Sequence, residues 1–462
     1  MKKIYFTITL LLSVASGFAQ QALTLFNMDW IGQSTQVNPS LIPEDKMYVG
    51  IPMLGSTSFM FTNSGFTWRD LHHVRADDSV AIQVDYALSK LSDKNFISAS
   101  VRSNIIEGGF AYKKNYFSFN ISEKGNFNLT FPKELFDLIL KGNGPFIGQE
   151  IVLRRTNFDI THHREYAIGF AREINQKVTV GGKLKYLYGM ENFSSGKANL
   201  SFYTAPDDYQ LELSSDYVIH TSTKSNAKKG SSDSYLFGLK NVGFAVDLGT
   251  TYKFNDRWKF MASVIDLGSI QWKSNTKSYI AESGEYKFDG IDINKFINDN
   301  GSGGSNILDT MTNSFGPTEN TDSYKTSLPT HGYLNACYKI NAKSNVSGLL
   351  HAEIFRQTVQ PTVTASYNRK LNSHLAASVN YSMINQHWNN VGAGFSVNAG
   401  PVQVYMISDN LIGTINPLSH NTLHINFGIN LVFGRPVVKI GATDFGVQGK
   451  SMAPVDSGEE TK

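Results

Sequence analysis

The side chains in this chain that could do chemistry are histidines, carboxylates, lysines and one cysteine, and their spacing decides what they can do. His72-His73 and His162-His163 are adjacent pairs. Neighbouring residues of an extended strand face opposite ways, so neither pair closes on one metal ion. The second pair runs into Arg164 and Glu165, a charged cluster that reads as solvated, where a strand leaves the outer rim. A metal or lipopolysaccharide contact is the alternative there. Asp289, Asp292 and Asp299 lack the Asp-x-Asp-x-Asp-Gly spacing of a calcium loop. His351 and Glu353 share a strand face and Asp266 lies on another strand, but no nucleophile is placed to use them. Cys337 falls on the face of Asn335 and Lys339, opposite Leu334, Ala336, Tyr338 and Ile340, and reads as a small interior residue. The chain carries no nucleophile elbow, no zinc-binding His-Glu-x-x-His and no phosphate loop. These residues describe a protein that is not an enzyme, and they imply no metal and no cofactor.

The remaining charged residues suit the lining of an interior. Lys183, Lys185, Asp247, Lys253, His351, Glu353 and His374 each stand on the polar side of an alternating segment. Mixed signs on such a face pair across a lumen or, alternatively, line a pore and set its selectivity. The segments that carry them are strands. From Leu423 the odd positions read Leu, Ile, Phe, Ile, Leu, Phe, and the even ones read His, Asn, Gly, Asn, Val, Gly. Successive side chains of a strand alternate faces, so one face is apolar and the other mostly polar. The length matches the roughly 9–11 residues a strand needs to cross a membrane. The same alternation recurs around Val178–Tyr188, Phe244–Phe254, Leu375–Met383 and Val391–Val397.

Short turns separate these runs at residues 113–115, 175–176, 255–256, 341–344, 370–373 and 399–401, most of them carrying Asn, Gly, Asp or Pro. Six hairpins give twelve strands. One more precedes them at residues 47–61 and one follows at 421–434. The expectation is an all-β, transmembrane antiparallel β-barrel of 14 strands, with short helices in its external loops. Residues 190–222 either extend the wall as an external hairpin or cross twice more, which would make 16. The phase of the strand beginning at residue 95 changes near 104–107, which predicts a bulge. Pro132–Lys141 reads as a short loop helix, and 291–297 as a second.

Charged residues make up 18% of the 462 residues, below the roughly 25% of soluble domains. No run approaches the apolar length of a membrane helix, and only helices and closed barrels satisfy their backbone in lipid. A net charge of +3 gives no reason to expect nucleic acid. Lys2, Lys3, the apolar stretch 4–14 and the small Gly17 and Ala19 read as a signal peptide, 1–19. Residues 20–45 then form a periplasmic or lumen segment, 46–434 the barrel and 435–462 a periplasmic tail.

Several blocks resemble one family. They are Asn38-Pro39-Ser40-Leu41-Ile42-Pro43, Phe131-Pro132-Lys133-Glu134-Leu135-Phe136-Asp137, Gly243 to Gly249, Asp266 to Trp272, and Ser327-Leu328-Pro329-Thr330. Together they resemble an uncharacterised family of Bacteroidota outer-membrane barrels. More distantly the chain is similar to the FadL-like transporters of long-chain fatty acids and to the PorV-like barrels of the type IX secretion system. Both are 14-stranded, and neither carries a functional residue over. The resemblance implies the bacterial outer membrane, with its lipid as the surroundings. It also implies either passive uptake of small hydrophobic solutes or a structural barrel that docks protein partners of a secretion or surface-anchoring machine.

Overall fold

The computed structural model describes residues 22–74, 80–154, 156–207, 211–223, 240–288, 318–356, 358–384 and 387–434. The expected signal peptide, the Asp289–Asp299 loop with its helix, and the tail 435–462 lie outside them.

Strands close into an antiparallel barrel of 14 wall positions. In chain order these are β1 (Met47–Gly50 and Thr57–Asn63), β2 (Asn95–Tyr112), β3 (Asn115–Phe131), β4 (Asn157–Glu173) and β5 (Val178–Thr204). Next come β6 (Leu211–Ser222 and Val242–Lys253), β7 (Trp258–Trp272 and Thr276–Phe288) and β8 (Thr318–Asn320, Tyr324–Ser327 and Thr330–Lys339). The wall is completed by β9 (Ser344–Phe355), β10 (Thr358–Lys370), β11 (Leu375–Ile384), β12 (His387–Ala399), β13 (Val402–Ser408) and β14 (Thr422–Phe433). β1 pairs with β14 from Met47↔Phe433 to Thr62↔Thr422, which closes the ring.

The burial pattern is that of a soluble protein turned inside out. In β14 the polar Thr422, His424, Asn426 and Asn430 are buried, while Phe427, Leu431 and Phe433 are exposed. Ile168, Leu184, Phe244, Leu248, Leu334 and Leu350 continue this exposed apolar band around the wall. Outward aromatic rings gather near the tight turns: Phe110, Phe117 and Phe170 in one row, and Trp258 between Phe260 and Tyr338 in another. This is the girdle of a membrane barrel.

Residues 190–222 extend the wall and do not cross the membrane again. At about 3.3 Å per residue, the 27 residues of β5 run about 90 Å, far more than a tilted crossing needs. Leu211–Ser222 pairs with the upper part of β5 and Val242–Lys253 with its lower part, so both occupy one wall position. The extra length stands beyond the membrane at the loop end, with Thr276–Phe288 paired beside it. This settles the count at 14. The phase change in β2 is a bulge, where the register against β3 slips between Asn104 and Ile106.

The tilted wall makes a clear energetic forecast. Leu248 faces lipid midway along β6, so Leu248→Arg should cost about 2–4 kcal/mol. Ile280→Arg, in the external extension, should cost less than about 1 kcal/mol. Denaturant unfolding of the barrel from lipid vesicles measures both.

Candidate functional site

A 14-stranded wall encloses more space than its own side chains fill, and the chain fills it with residues 22–45. All but a few of these are buried inside the lumen. The segment starts as a helical turn, Leu23–Phe26, whose open amides point at Asp409. The amide nitrogens of Leu23 and Thr24 donate to that carboxylate at 3.2 and 2.8 Å, and Thr24 Oγ1 donates at 2.6 Å. His424 Nδ1 lies 3.0 Å from the same carboxylate. Further along, Asn27 Oδ1 accepts from Asn335 and Ser347, Trp30 Nε1 donates to Ser396, and Val37 O accepts from Ser263. Asn38 and Pro39 press so closely on the wall that a Cβ at Gly249 would lie 2.1 Å from Asn38 Oδ1. One at Gly181 would lie 2.2 Å from Pro39 O. The Asn38-Pro39-Ser40 block and the block ending at Gly249 are therefore one contact.

At the turn end, Asp29 of the plug meets Lys259 at 2.7 Å. Desolvation raises the Asp29 carboxyl, but the Lys259 ammonium more than offsets it and leaves the group below its usual value. The pair therefore holds at neutral pH and is lost as pH falls through that lowered value.

The tightest link falls on a defect in the wall. Between Gly50 and Thr57, β1 bulges by six residues against two in β14, yet stays hydrogen-bonded to both neighbours, through Ile51 and Leu54 to Ile429 and through Met53 and Ser56 to Asn104. Met53 and Leu54 project outward and are exposed. The Gly55 carbonyl turns inward and accepts from Gln33 Nε2 at 3.1 Å and Tyr405 Oη at 3.1 Å. The same Gln33 amide donates to Glu107 Oε1 at 2.7 Å and exchanges hydrogen bonds with the Asn430 side chain at 2.8 and 2.9 Å. Glu107 is completed by Gln36 and Asn104. One glutamine thus joins β1, β2 and β14 across the seam where the barrel closes.

Opposite this seam lies a buried ionic layer. Lys124 Nζ lies 2.7 Å from Glu165 and 3.1 Å from Asp266. Lys185 Nζ lies 2.7 Å from Asp247 and 2.6 Å from Asp266. Asp266 reaches both lysines because β7 bulges there: Ile265 and Asp266 oppose the single Asp247, and Asp266 adopts φ +59°. Its amide donates to Asp247 Oδ1 at 2.8 Å. Asp and Asn tolerate this left-handed conformation better than most residues.

Of the seven lumen residues named from sequence, five are buried, and Lys253 and His374 are exposed. Lys185 and Asp247 belong to the ionic layer, and Lys183 reaches Thr35 of the plug at 3.4 Å. His351 and Glu353 are buried; the His351 ring packs against those of Tyr333 and His331, and its Nε2 is 3.3 Å from His331 Nδ1. Lys253 stands at the open turn end. His374 is different: it sits in the exposed turn before β11, with Nδ1 3.0 Å from Ser373 Oγ, because the strand begins one residue later. The cluster at residues 162–165 also differs from its reading as solvated rim. Facing them, β5 bulges at Met190, while β4 keeps its alternation; His163 and Glu165 point into the lumen, and His163, Arg164 and Glu165 are all buried. Among the described residues no three His, Cys, Asp or Glu side chains gather as a metal site.

The lumen residues read from alternation do not include Lys124, Glu165 and Asp266. The repeat Asp247-Leu248-Gly249 and Asp266-Leu267-Gly268 is the signal that finds the last of them, since both aspartates meet at Lys185.

The model of the family of unknown function DUF5723 matches residues 39–409. The chain belongs to that family. The match runs from the Asn38-Pro39 contact to Asp409, so it spans the plug's seat and nearly the whole wall. No curated protein matches the chain. Among solved structures this DUF5723 chain is similar to the Pseudomonas putida toluene transporter TodX, at 11% identity and a TM-score of 0.40, with 87% of this chain and 94% of that one covered. A Pseudomonas aeruginosa FadL homologue gives 9% identity, coverages of 91% and 99%, and a TM-score of 0.40. The translocator domain of the Neisseria meningitidis autotransporter NalP gives 6%, 84% and 88%, and 0.32.

The ionic layer predicts a large single-site loss. Asp266→Ala leaves Lys124 and Lys185 each short of a carboxylate in a buried site, which costs about 3–5 kcal/mol. Unfolding followed by the heat-dependent gel shift of the barrel in detergent reads the difference.

Proposed function

We propose that this protein is a passive uptake channel of the bacterial outer membrane for small hydrophobic solutes, closed in the present state by residues 22–45. The tight-turn end is then periplasmic and the loop end external. The observation that carries this reading is that Gln33 fastens the plug and the bulge of β1 together. A plug that moves frees the Gly55 carbonyl, and with it the bulge in β1, at the same moment.

The remaining geometry is consistent with a closed channel. At the loop end a vestibule of about 580 Å³ is lined by Phe96, Phe158 and Phe355 together with Ser194, His220 and Arg356. Below it, a cavity between plug and wall of about 20 Å³ holds roughly one water. A solute resting in the vestibule therefore advances only if the plug yields. A hydrophobic solute gains nothing from a polar lumen or from the water beyond it. The six-residue excursion of β1, with Met53 and Leu54 toward lipid, offers it the bilayer.

A second reading, an interaction barrel docking partners of a secretion or surface-anchoring machine, draws on the filled lumen and on the wall extension of β5 to β7. The two separate by experiment. Cells carrying the barrel should take up labelled toluene or a long-chain fatty acid several-fold faster than cells without it; equal rates would leave the interaction reading.

Loosening the plug should also be visible electrically. Gln33→Ala removes the amide that joins three wall strands and leaves Glu107 short of a partner, at about 1–3 kcal/mol. In planar bilayers the parent protein should be nearly silent and Gln33→Ala should conduct in bursts.

A further inference from the structure

The periplasmic mouth below the plug is a cavity of about 640 Å³. Eight lysine and arginine side chains line it against three carboxylates, an excess of five. The whole chain carries an excess of only three, so the charge is concentrated here. Two of the three carboxylates are already engaged: Asp29 by Lys259, and Glu44 by Lys370. Among the described residues, Lys177, Lys253, Lys339 and Lys343 have no carboxylate partner.

The arrangement is costly to the barrel itself. Lys253 and Lys259 stand directly opposite each other in the ladder between β6 and β7. Like charges in that position destabilise a sheet. Lys339 ends β8, in the strand next to β7. These lysines surround the plug's underside, inside the ring formed by the outward Trp258, Phe260 and Tyr338. Phospholipid headgroups meet the outside of that ring, so they do not account for the charge within it.

We propose that this mouth is the docking site for an acidic peptide segment of a periplasmic protein. Its carboxylates would pair with Lys253, Lys339 and Lys343 and compete with Asp29 for Lys259. Docking would then remove the plug's anchor at its lower end. The proposal rests on the turn end being periplasmic and is independent of what the barrel carries. The chain's own residues 435–462 hold four acidic and four basic side chains, so they bring no net charge to complement the mouth.

The test uses the full-length protein in phosphatidylcholine nanodiscs and a fluorescein-labelled twelve-residue peptide rich in glutamate, followed by anisotropy. Saturable binding that weakens as salt is raised is expected, because the contacts are exposed charges. Lys253→Glu/Lys339→Glu/Lys343→Glu should weaken it by about tenfold or more. Arg69→Glu/Lys90→Glu, in the external loops, should leave it unchanged. Binding insensitive to salt, or equal in the parent and the triple variant, overturns the proposal. So does a triple variant that, in a second set of nanodiscs containing phosphatidylglycerol, loses that lipid from its shell while keeping the peptide, which would make the mouth a lipid contact. A synthetic peptide of residues 451–462 that displaces the probe as well as unlabelled probe does would assign the mouth to the chain's own tail and overturn the partner.

Discussion

Polar groups on a barrel's lumen need partners in the protein or in water, and here residues 22–45 fill the space that water would occupy. The consequence is visible in β14, where Thr422, His424, Asn426 and Asn430 are buried and the hydrophobic residues are not. Fourteen strands hold the opposing walls too far apart for these side chains to pair across the gap. The segment at residues 22–45 supplies the missing partners. It brings Thr24 to Asp409 and Asn380, Gln33 to Asn430 and Glu107, and Ser40 to Thr251. Remove it, and a row of buried donors and acceptors loses its bonds, at about 1–3 kcal/mol each.

That dependence gives the lumen two sides with different character. On the side of β3 to β7, wall residues alone make an ionic layer around Lys124, Lys185 and Asp266. It is closed on itself, and its energetic value lies in the penalty for breaking it. On the side where β1 meets β2 and β14, the polar groups are shared between wall and plug, and the wall strand bulges. Displacing the plug there breaks its hydrogen bonds, those to the Glu107 carboxyl included, and leaves the ion layer of the wall intact. The vestibule above and the basic mouth below are the two openings such a movement would connect.

The architecture is readable in the chain because a membrane strand writes its two faces as a strict alternation. Hairpin turns rich in Asn, Asp, Gly and Pro mark the ends, and the count of 14 follows. The same rule brings Lys185 and Asp247 to the lumen as a pair. It fails wherever period two is broken. The bulges at Asn104–Ile106, Met190 and Ile265–Asp266 each shift the phase of their strand by one residue. That is why Asp266 is hard to place on a face; residues 162–165 keep their alternation and look like a rim only because the wall beside them runs on past the membrane. His374 alternates with its neighbours on paper but stands one residue before its strand begins. The plug has no periodicity at all, since its contacts are with strands hundreds of residues away: Gln33 and Asn430 are 397 apart.

On the channel reading, nothing passes until residues 22–45 move. Ser40 and Thr251 touch through their hydroxyls at 2.8 Å, so Ser40→Cys/Thr251→Cys places two thiols in reach across plug and wall. Uptake of a labelled hydrophobic solute by cells carrying this variant, compared under oxidising and reducing conditions, tests the claim directly. The account predicts transport when the thiols are reduced and its loss when they are joined. Equal transport in both states would contradict it.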